Sequence, residues 1–436
     1  MGIPTRSKKF ELRSLRVRSR RIFWIAATIG VISFLVITIA PIALISVAKN
    51  AIRKGQVENA LIQLDRAEHF LQYAGEIDFY RARCFRRLGR AKEFTTAIIS
   101  AHNEGFPAEI LDREQTYFLA QAGQLREIEQ DLADIFEDAG EDSGEACEAY
   151  ANGLLINLRQ QEALNVVEHW AKDYPKDARP ECVRGQIYKS INRNKLAEAA
   201  FRRALVLDAD SSETEMMLGD LLLENRNLDD AAEVFKKLAK TKQFHDIAWL
   251  NISRIERMKG NLSASNQALK QVIKPDELIS REFQLQVGLL AVDEQKFEFA
   301  EPILRGVLLQ YPKDLEAQQG LAIALRGLGR QSEASERAAI VATIQDQRHR
   351  IGQLYDRVVA KPDDPIPRLE IGKIELQYGE ITRGIIWLQS VLNLQPENSE
   401  AIHILAQYYQ EQSQTKPEFS ELSKYYRAKA DKALHE

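Results

Sequence analysis

The side chains able to do chemistry are few and scattered. Cys84, Cys147 and Cys182 are too few for a disulfide framework and none stands in a C-x-x-C pair. The seven histidines show no ligand spacing. Asp208-x-Asp210-x-Ser212 starts like a calcium loop, but Glu213 stands where the sharp turn needs glycine and Gly219 where the bidentate glutamate belongs. Gly327-Leu-Gly329 starts like a dinucleotide loop, yet no strand pattern precedes it and the third glycine is replaced by Ser332. No H-E-x-x-H, G-x-S-x-G or P-loop string occurs. The expectation is a chain that is not an enzyme and that holds no cofactor or metal.

Charge is more informative than nucleophiles. The 436 residues carry 59 Lys and Arg against 63 Asp and Glu, a net charge of −4, which gives no global reason to expect nucleic acid as a partner. That balance hides an uneven distribution. Arg6, Lys8, Lys9, Arg13, Arg16, Arg18, Arg20 and Arg21 crowd residues 1–21, opposed only by Glu11, so the remainder is acidic. A second basic cluster holds Arg81, Arg83, Arg86, Arg87, Arg90 and Lys92. It reads either as a solvated helix face or as a contact for anionic lipid head groups or an acidic partner. Ten acids lie between Glu127 and Glu148, either a solvated linker or a dock for a basic partner.

The elements that must carry these groups begin with a run of 27 uncharged residues, Ile22 to Ala48. A bilayer core of about 30 Å needs about 20 helical residues, so the run can span. Trp24 sits at its basic end, where interfacial aromatics anchor. The competing reading is a cleavable signal peptide, for which Ser46-Val47-Ala48 resembles a cleavage site, although the run exceeds the usual apolar region of about 7–15 residues. As an anchor it divides the chain into a basic cytoplasmic tail (1–21), a transmembrane helix (22–42) and a body (43–436). The positive-inside rule puts the body on the far side, as in a bacterial inner membrane protein.

The body repeats. Gly55, Gly89 and Gly123 are 34 residues apart, as are Gly185 and Gly219, and Ala197-x-x-x-Phe201 recurs as Ala231-x-x-x-Phe235. Counted in one phase, units start at Pro41, Gly75, Glu109, Gly144, Ala178, Ser212, Asp246, Arg281, Leu315, Pro365 and Ser399. All intervals are 34 or 35 except the 50 residues from Leu315 to Pro365, which predict a long helix near 331–359. Apolar residues recur at three and four with a turn at mid-unit, so each unit reads as two antiparallel helices, and period-two alternation is nearly absent. Gly185, Gly219, Gly288 and Gly372 share one position in first helices, and Ala60, Ala197, Ala231, Ala300 and Ala334 share one in second helices, where small side chains allow close approach. Phe201, Phe235, Leu304 and Leu388 are expected to fill the space between neighbouring pairs, and Gly260, Gly329 and Gly379 to open later turns. The charged stretch 418–434 reads as a helix that forms a solvated terminal cap.

These units resemble tetratricopeptide repeats, whose pattern is W-x2-L-G-x2-Y, then A-x3-F, then P. The unit from Ala178 matches best, with Gly185, Tyr188, Ala197, Phe201 and Ala204, and Trp249 supplies the tryptophan in the unit from Asp246. The resemblance is patchier where Phe94 and Ile128 replace the small second-helix residue. It implies an all-α, right-handed solenoid of about eleven helix pairs that binds proteins or peptides on a concave face lined by first helices. Carried onto this chain, that face would include Phe79, Arg83 and Arg86, then Leu250, Arg254 and Arg257, then Leu285 and Leu289, then Leu369 and Lys373. The expected function is a membrane-tethered interaction scaffold. The alternatives are an accessory subunit positioning a membrane enzyme or envelope-assembly complex, and a diverged enzyme.

Overall fold

The computed structural model describes residues 39–125, 128, 140–273, 277–414 and 419–433. The basic tail and most of the apolar run therefore lie outside the described residues, as do most of the ten clustered acids. Among the described residues every regular element is helical, and no helix is long and apolar enough to cross a membrane. The chain divides into two compact units, Met1–Phe118 and Leu119–Glu436.

In the first unit, α1 covers residues 39–53, followed by α2 (Val57–Ala67), α3 (Ala74–Arg87), α4 (Ala91–Asn103) and the start of α5 (Ala108–Gln121). The end of the uncharged run is not a free apolar rod. Ile45, Ala48, Ala51 and Ile52 are buried against Ala60, Leu64 and Ala67 of α2 and Ile77 and Cys84 of α3. Their spacing of three and four puts them on one helix stripe, which is why the segment joins a core.

The second unit continues the pairs: α6 (Ser143–Ile156) with α7 (Gln160–Asp173), α8 (Arg179–Ser190) with α9 (Asn194–Leu207), α10 (Ser212–Glu224) with α11 (Leu228–Leu238). Then follow α12 (His245–Met258) with α13 (Leu262–Leu269), α14 (Glu277–Asp293) with α15 (Phe297–Gln310), and α16 (Leu315–Gly327) with α17 (Gln331–Ala360). The last pairs are α18 (Pro365–Tyr378) with α19 (Ile381–Leu394) and α20 (Ser399–Ser413) with α21 (Ser420–Ala433). The helix expected over the C-terminal stretch is the second member of the last pair, and it is not wholly solvated: Tyr426 is buried and stacks on Tyr409 with ring centroids 5.3 Å apart.

One backbone device sets the period. Residues 55, 89, 123, 158, 192, 226, 260, 295 and 329 all have left-handed φ, between +56° and +82°. Each ends a first helix with the same two bonds. At Arg226 they are Arg226 N–H to Leu223 O (3.0 Å) and Asn227 N–H to Leu222 O (2.9 Å). This is the Schellman pattern, which satisfies two orphan carbonyls and turns the chain straight into the second helix. Five of these positions are glycine; Leu158, Asn192, Arg226 and Gln295 adopt the conformation without it. Gly379 departs from expectation: its φ of −122° is not left-handed, so the turn there is of another kind. Several first helices, entered from linkers, carry side-chain caps instead, as at Ser211, Asp314, Asp364 and Asn398.

Packing inside each pair is small against large. A Cβ on Gly185 would lie 2.5 Å from the Phe201 ring, and one on Gly219 2.9 Å from Phe235. Gly288 and Gly372 stand in the same relation to Leu304 and Leu388. The large residues therefore sit on the glycine of their own pair, closer than the between-pair filling expected of them. Phe201 and Phe235 also share one core cluster with Leu218, Leu221 and Leu222, so they bridge to the next pair as well.

Candidate functional site

First helices touch the first helices of neighbouring pairs through polar rungs. In the second unit Lys189 Nζ meets Glu224 at 2.9 Å, Arg257 meets Asp293 at 3.1 Å, and Lys373 meets Glu400 at 2.6 Å. Arg254 on α12 reaches Glu316 on α16 at 2.5 Å, past the intervening pair. A contact that skips a pair requires these first helices to line the inside of a curve. Exposed or half-exposed ion pairs contribute little to stability, about 0–1 kcal/mol each, so this face is polar and readily re-paired.

The residues expected on that face divide into two groups. Arg254, Arg257 and Lys373 are on it, and Leu369 is half-buried. Leu250, Leu285 and Leu289 are core residues, 1%, 3% and 7% exposed, because they stand on the stripe of the first helix turned toward packed neighbours. In the first unit Phe79 is likewise interior, stacked on Phe106 at 4.7 Å.

The basic cluster is also corrected. Arg83 and Arg86 are buried and share one acid, Glu114 of α5, at 2.8 and 2.6 Å. Arg81 bonds Asp65 on α2 and Glu68 just after it, Arg87 donates to the Ile52 carbonyl at 2.6 Å, and Arg90 pairs with Glu93. The guanidiniums of Arg81, Arg83, Arg86 and Arg87 join neighbouring elements, whereas Arg90, in its i,i+3 pair, and Lys92 are exposed. A related network holds part of the acidic cluster: Arg179 reaches Glu145 and Glu148, each at 3.1 Å, and stands over Trp170. Burial alone would lower the Arg179 pKa, but these carboxylates and Asp177 hold it raised.

Thiol chemistry is disfavoured. Burial pushes Cys147 up to about 12 and Cys182 up to about 11, so neither is a thiolate near neutrality. Among the described residues no His, Cys, Asp and Glu group could hold a metal ion.

A feature with a single indirect sequence signal lies where the second unit curls back on itself. Tyr355 of α17 donates to the Ser190 carbonyl at 2.8 Å and accepts from Gln160 at 3.3 Å. Arg368 of α18 donates to the Asn157 carbonyl at 3.1 Å, and Asn393 of α19 donates to the Asn157 side-chain oxygen at 2.8 Å. Leu158 packs against Leu354, Val358, Ile371 and Ile374. Along this seam lies a cavity of about 1170 Å³. The 50-residue interval is the only hint of it: α17 is about 15 residues longer than its counterparts, about 22 Å at 1.5 Å per residue, and this length carries α18 and α19 to the turns around α6 to α8.

Comparison with known families fits this architecture. The family described as Tetratricopeptide repeat matches residues 182–245 and 216–277, which run from α8 to the start of α14. Among curated proteins, none matches. Among solved structures the MamA protein is 19% identical, covering 38% of this chain and 89% of its own, with a TM-score of 0.32. The Cut9–Hcn1 hetero-tetramer of APC/C is 13% identical, covering 93% of this chain and 96% of its own, with a TM-score of 0.35. A tetratricopeptide repeat protein from Parabacteroides merdae is 15% identical, covering 72% and 99%, with a TM-score of 0.36. The family match supports the tetratricopeptide class, whose members in general mediate protein–protein interactions.

Proposed function

We propose that this chain is a membrane-tethered scaffold that binds a partner protein or peptide along its first-helix face. The observation that carries the reading is the Arg254–Glu316 rung at 2.5 Å, which sets first helices two pairs apart on one concave surface. Arg254, Arg257 and Lys373 are the groups on that surface proposed to meet acidic positions of the partner. The tether rests on the uncharged run that begins at Ile22, behind eight basic residues. With it the tail lies in the cytoplasm and the body across the membrane. A role as accessory subunit of a membrane enzyme or assembly complex is the second form of the same reading, with the partner being the catalytic component.

Two experiments test it. Cross-linking in intact cells, with the variant Arg254→Glu/Arg257→Glu/Lys373→Glu beside the parent, should show a cross-linked partner that the variant loses while its melting is unchanged. An identical cross-linking pattern in both would remove the first-helix face from the proposal. Carbonate extraction should leave the protein in membranes, and protease added to spheroplasts should digest the body. Release by carbonate, or a mature N-terminus at Lys49, would make the apolar run a signal peptide.

A further inference from the structure

The seam cavity lies apart from the first-helix rungs, and one buried cation in it has no ion-paired carboxylate among the described residues. Arg368 is 2% exposed and lines the cavity. Its Nη2 donates to two backbone carbonyls, Asn157 O and Pro362 O, while Nε has no partner and no described carboxylate is ion-paired with it. Buried guanidiniums ordinarily meet an acid, as Arg83 and Arg86 do, because neutral acceptors do not offset the loss of hydration. Burial accordingly pulls Arg368 down to about 10, with Asp363 the one charge acting against the shift.

The surroundings indicate what anion would suit. Lys429 and the exposed Arg193 add positive charge to the lining, and Gln124, Asn192 and Tyr425 offer neutral donors and acceptors. Glu162 also lines it but is paired with Arg159 of the same lining, and Asp356 and Asp363 add negative charge, which disfavours a doubly charged phosphate but tolerates a single carboxylate on a polar, uncharged chain. At about 1170 Å³ the space exceeds that of ordinary small-molecule pockets, roughly 300–1,000 Å³.

We propose that the seam cavity binds an extended polar peptide segment of a partner that carries one carboxylate, the carboxylate set against Arg368 and the main chain along the carboxamide and tyrosine wall. This site is independent of the first-helix face, so failure of either proposal leaves the other standing.

The test uses the full chain in neutral detergent and a fluorescein-labelled, C-terminally amidated octapeptide of alternating Gln and Gly in which one central Gln is replaced by Glu, read by fluorescence anisotropy. The Glu peptide should bind, and its Gln–Gly counterpart should bind at least about tenfold more weakly, as expected for loss of a charge-assisted hydrogen bond. Arg368→Gln should weaken the Glu peptide by a similar factor. Should that variant fail to fold, the surface pair Arg193→Glu/Lys429→Glu decides the matter and should also weaken binding severalfold. The proposal is overturned by no binding, by equal binding of the Gln peptide, or by displacement with equimolar inorganic phosphate. It is equally overturned if the cavity variants bind like the parent, which would assign the peptide to the basic residues 1–21.

Discussion

Asn393 donates its side-chain amide to the side-chain oxygen of Asn157 at 2.8 Å, across 236 residues of chain. Asn157 in turn donates to the carbonyls of Gly123 (2.7 Å) and Gly153 (2.9 Å), so one carboxamide ties a turn, a helix end and a distant pair together. Asn393→Leu should leave that oxygen without its donor and cost about 1–3 kcal/mol locally. Hydrogen exchange should quicken at residues 122–125 and in α19 while α10 to α13 keep their protection. Unchanged exchange at both places would mean that the seam does not form in solution.

The glycine under Phe201 is a steric requirement. Gly185→Ala puts a methyl group 2.5 Å from the ring and should cost about 1–3 kcal/mol by overpacking. Phe201→Leu in the same chain should recover part of that loss, since the ring is the obstruction. Ala197→Phe and Ala231→Phe, at fully buried positions, should destabilise at least as much. Parent-like melting of all three single variants would contradict the pairing of α8 with α9 and of α10 with α11.

The turns allow backbone and side-chain effects to be separated. A Cβ on Gly260 would meet nothing within 4 Å, so Gly260→Ala changes only the cost of its φ of +79°. It should destabilise by about 1 kcal/mol, and Arg226→Gly, which relieves a φ of +59°, should stabilise by a similar amount. Denaturant melts read both, and shifts of the same sign would count against a shared turn geometry.

Arg83 and Arg86 both depend on Glu114, so Glu114→Gln leaves two buried guanidiniums with a weakened partner. Breaking such a set costs about 3–5 kcal/mol. Reversing Arg83, Arg86 and Arg87 to Glu should be worse, exposing α3 and α5 to exchange at any salt concentration. A triple variant that keeps parent-like protection would return these side chains to the surface reading.

The period, the helix pairs and the small positions were legible because they repeat: Gly185 with Phe201 and Gly219 with Phe235 state the same steric relation twice. What escaped is what occurs once. Nothing in the residues around Arg83 announces that Glu114, 31 positions later, will neutralise it, so a buried set looked like a basic surface. Leu250, Leu285 and Leu289 were placed by register on the partner face, yet one helix position separates that face from the core stripe. Left-handed turns at Leu158, Asn192, Arg226 and Gln295 were hidden because no glycine marks them. The seam is invisible locally, since Asn157 and Asn393 meet only through the summed curvature of the pairs between them.

The uninterrupted α17 has one more consequence. It is packed at both ends, with Ala334 buried near its start and Leu354 and Val358 near its finish. Its length is therefore a phase angle as well as a distance. One residue added to its middle would advance everything beyond by about 1.5 Å and rotate it by about 100°. Tyr355 would then point away from Ser190, and Arg368 away from Asn157. Seven added residues would nearly restore the angle but shift the seam by about 10 Å, beyond the reach of any of its hydrogen bonds. Length variation among related chains is thus expected in the linkers between pairs, with α17 held to a fixed count.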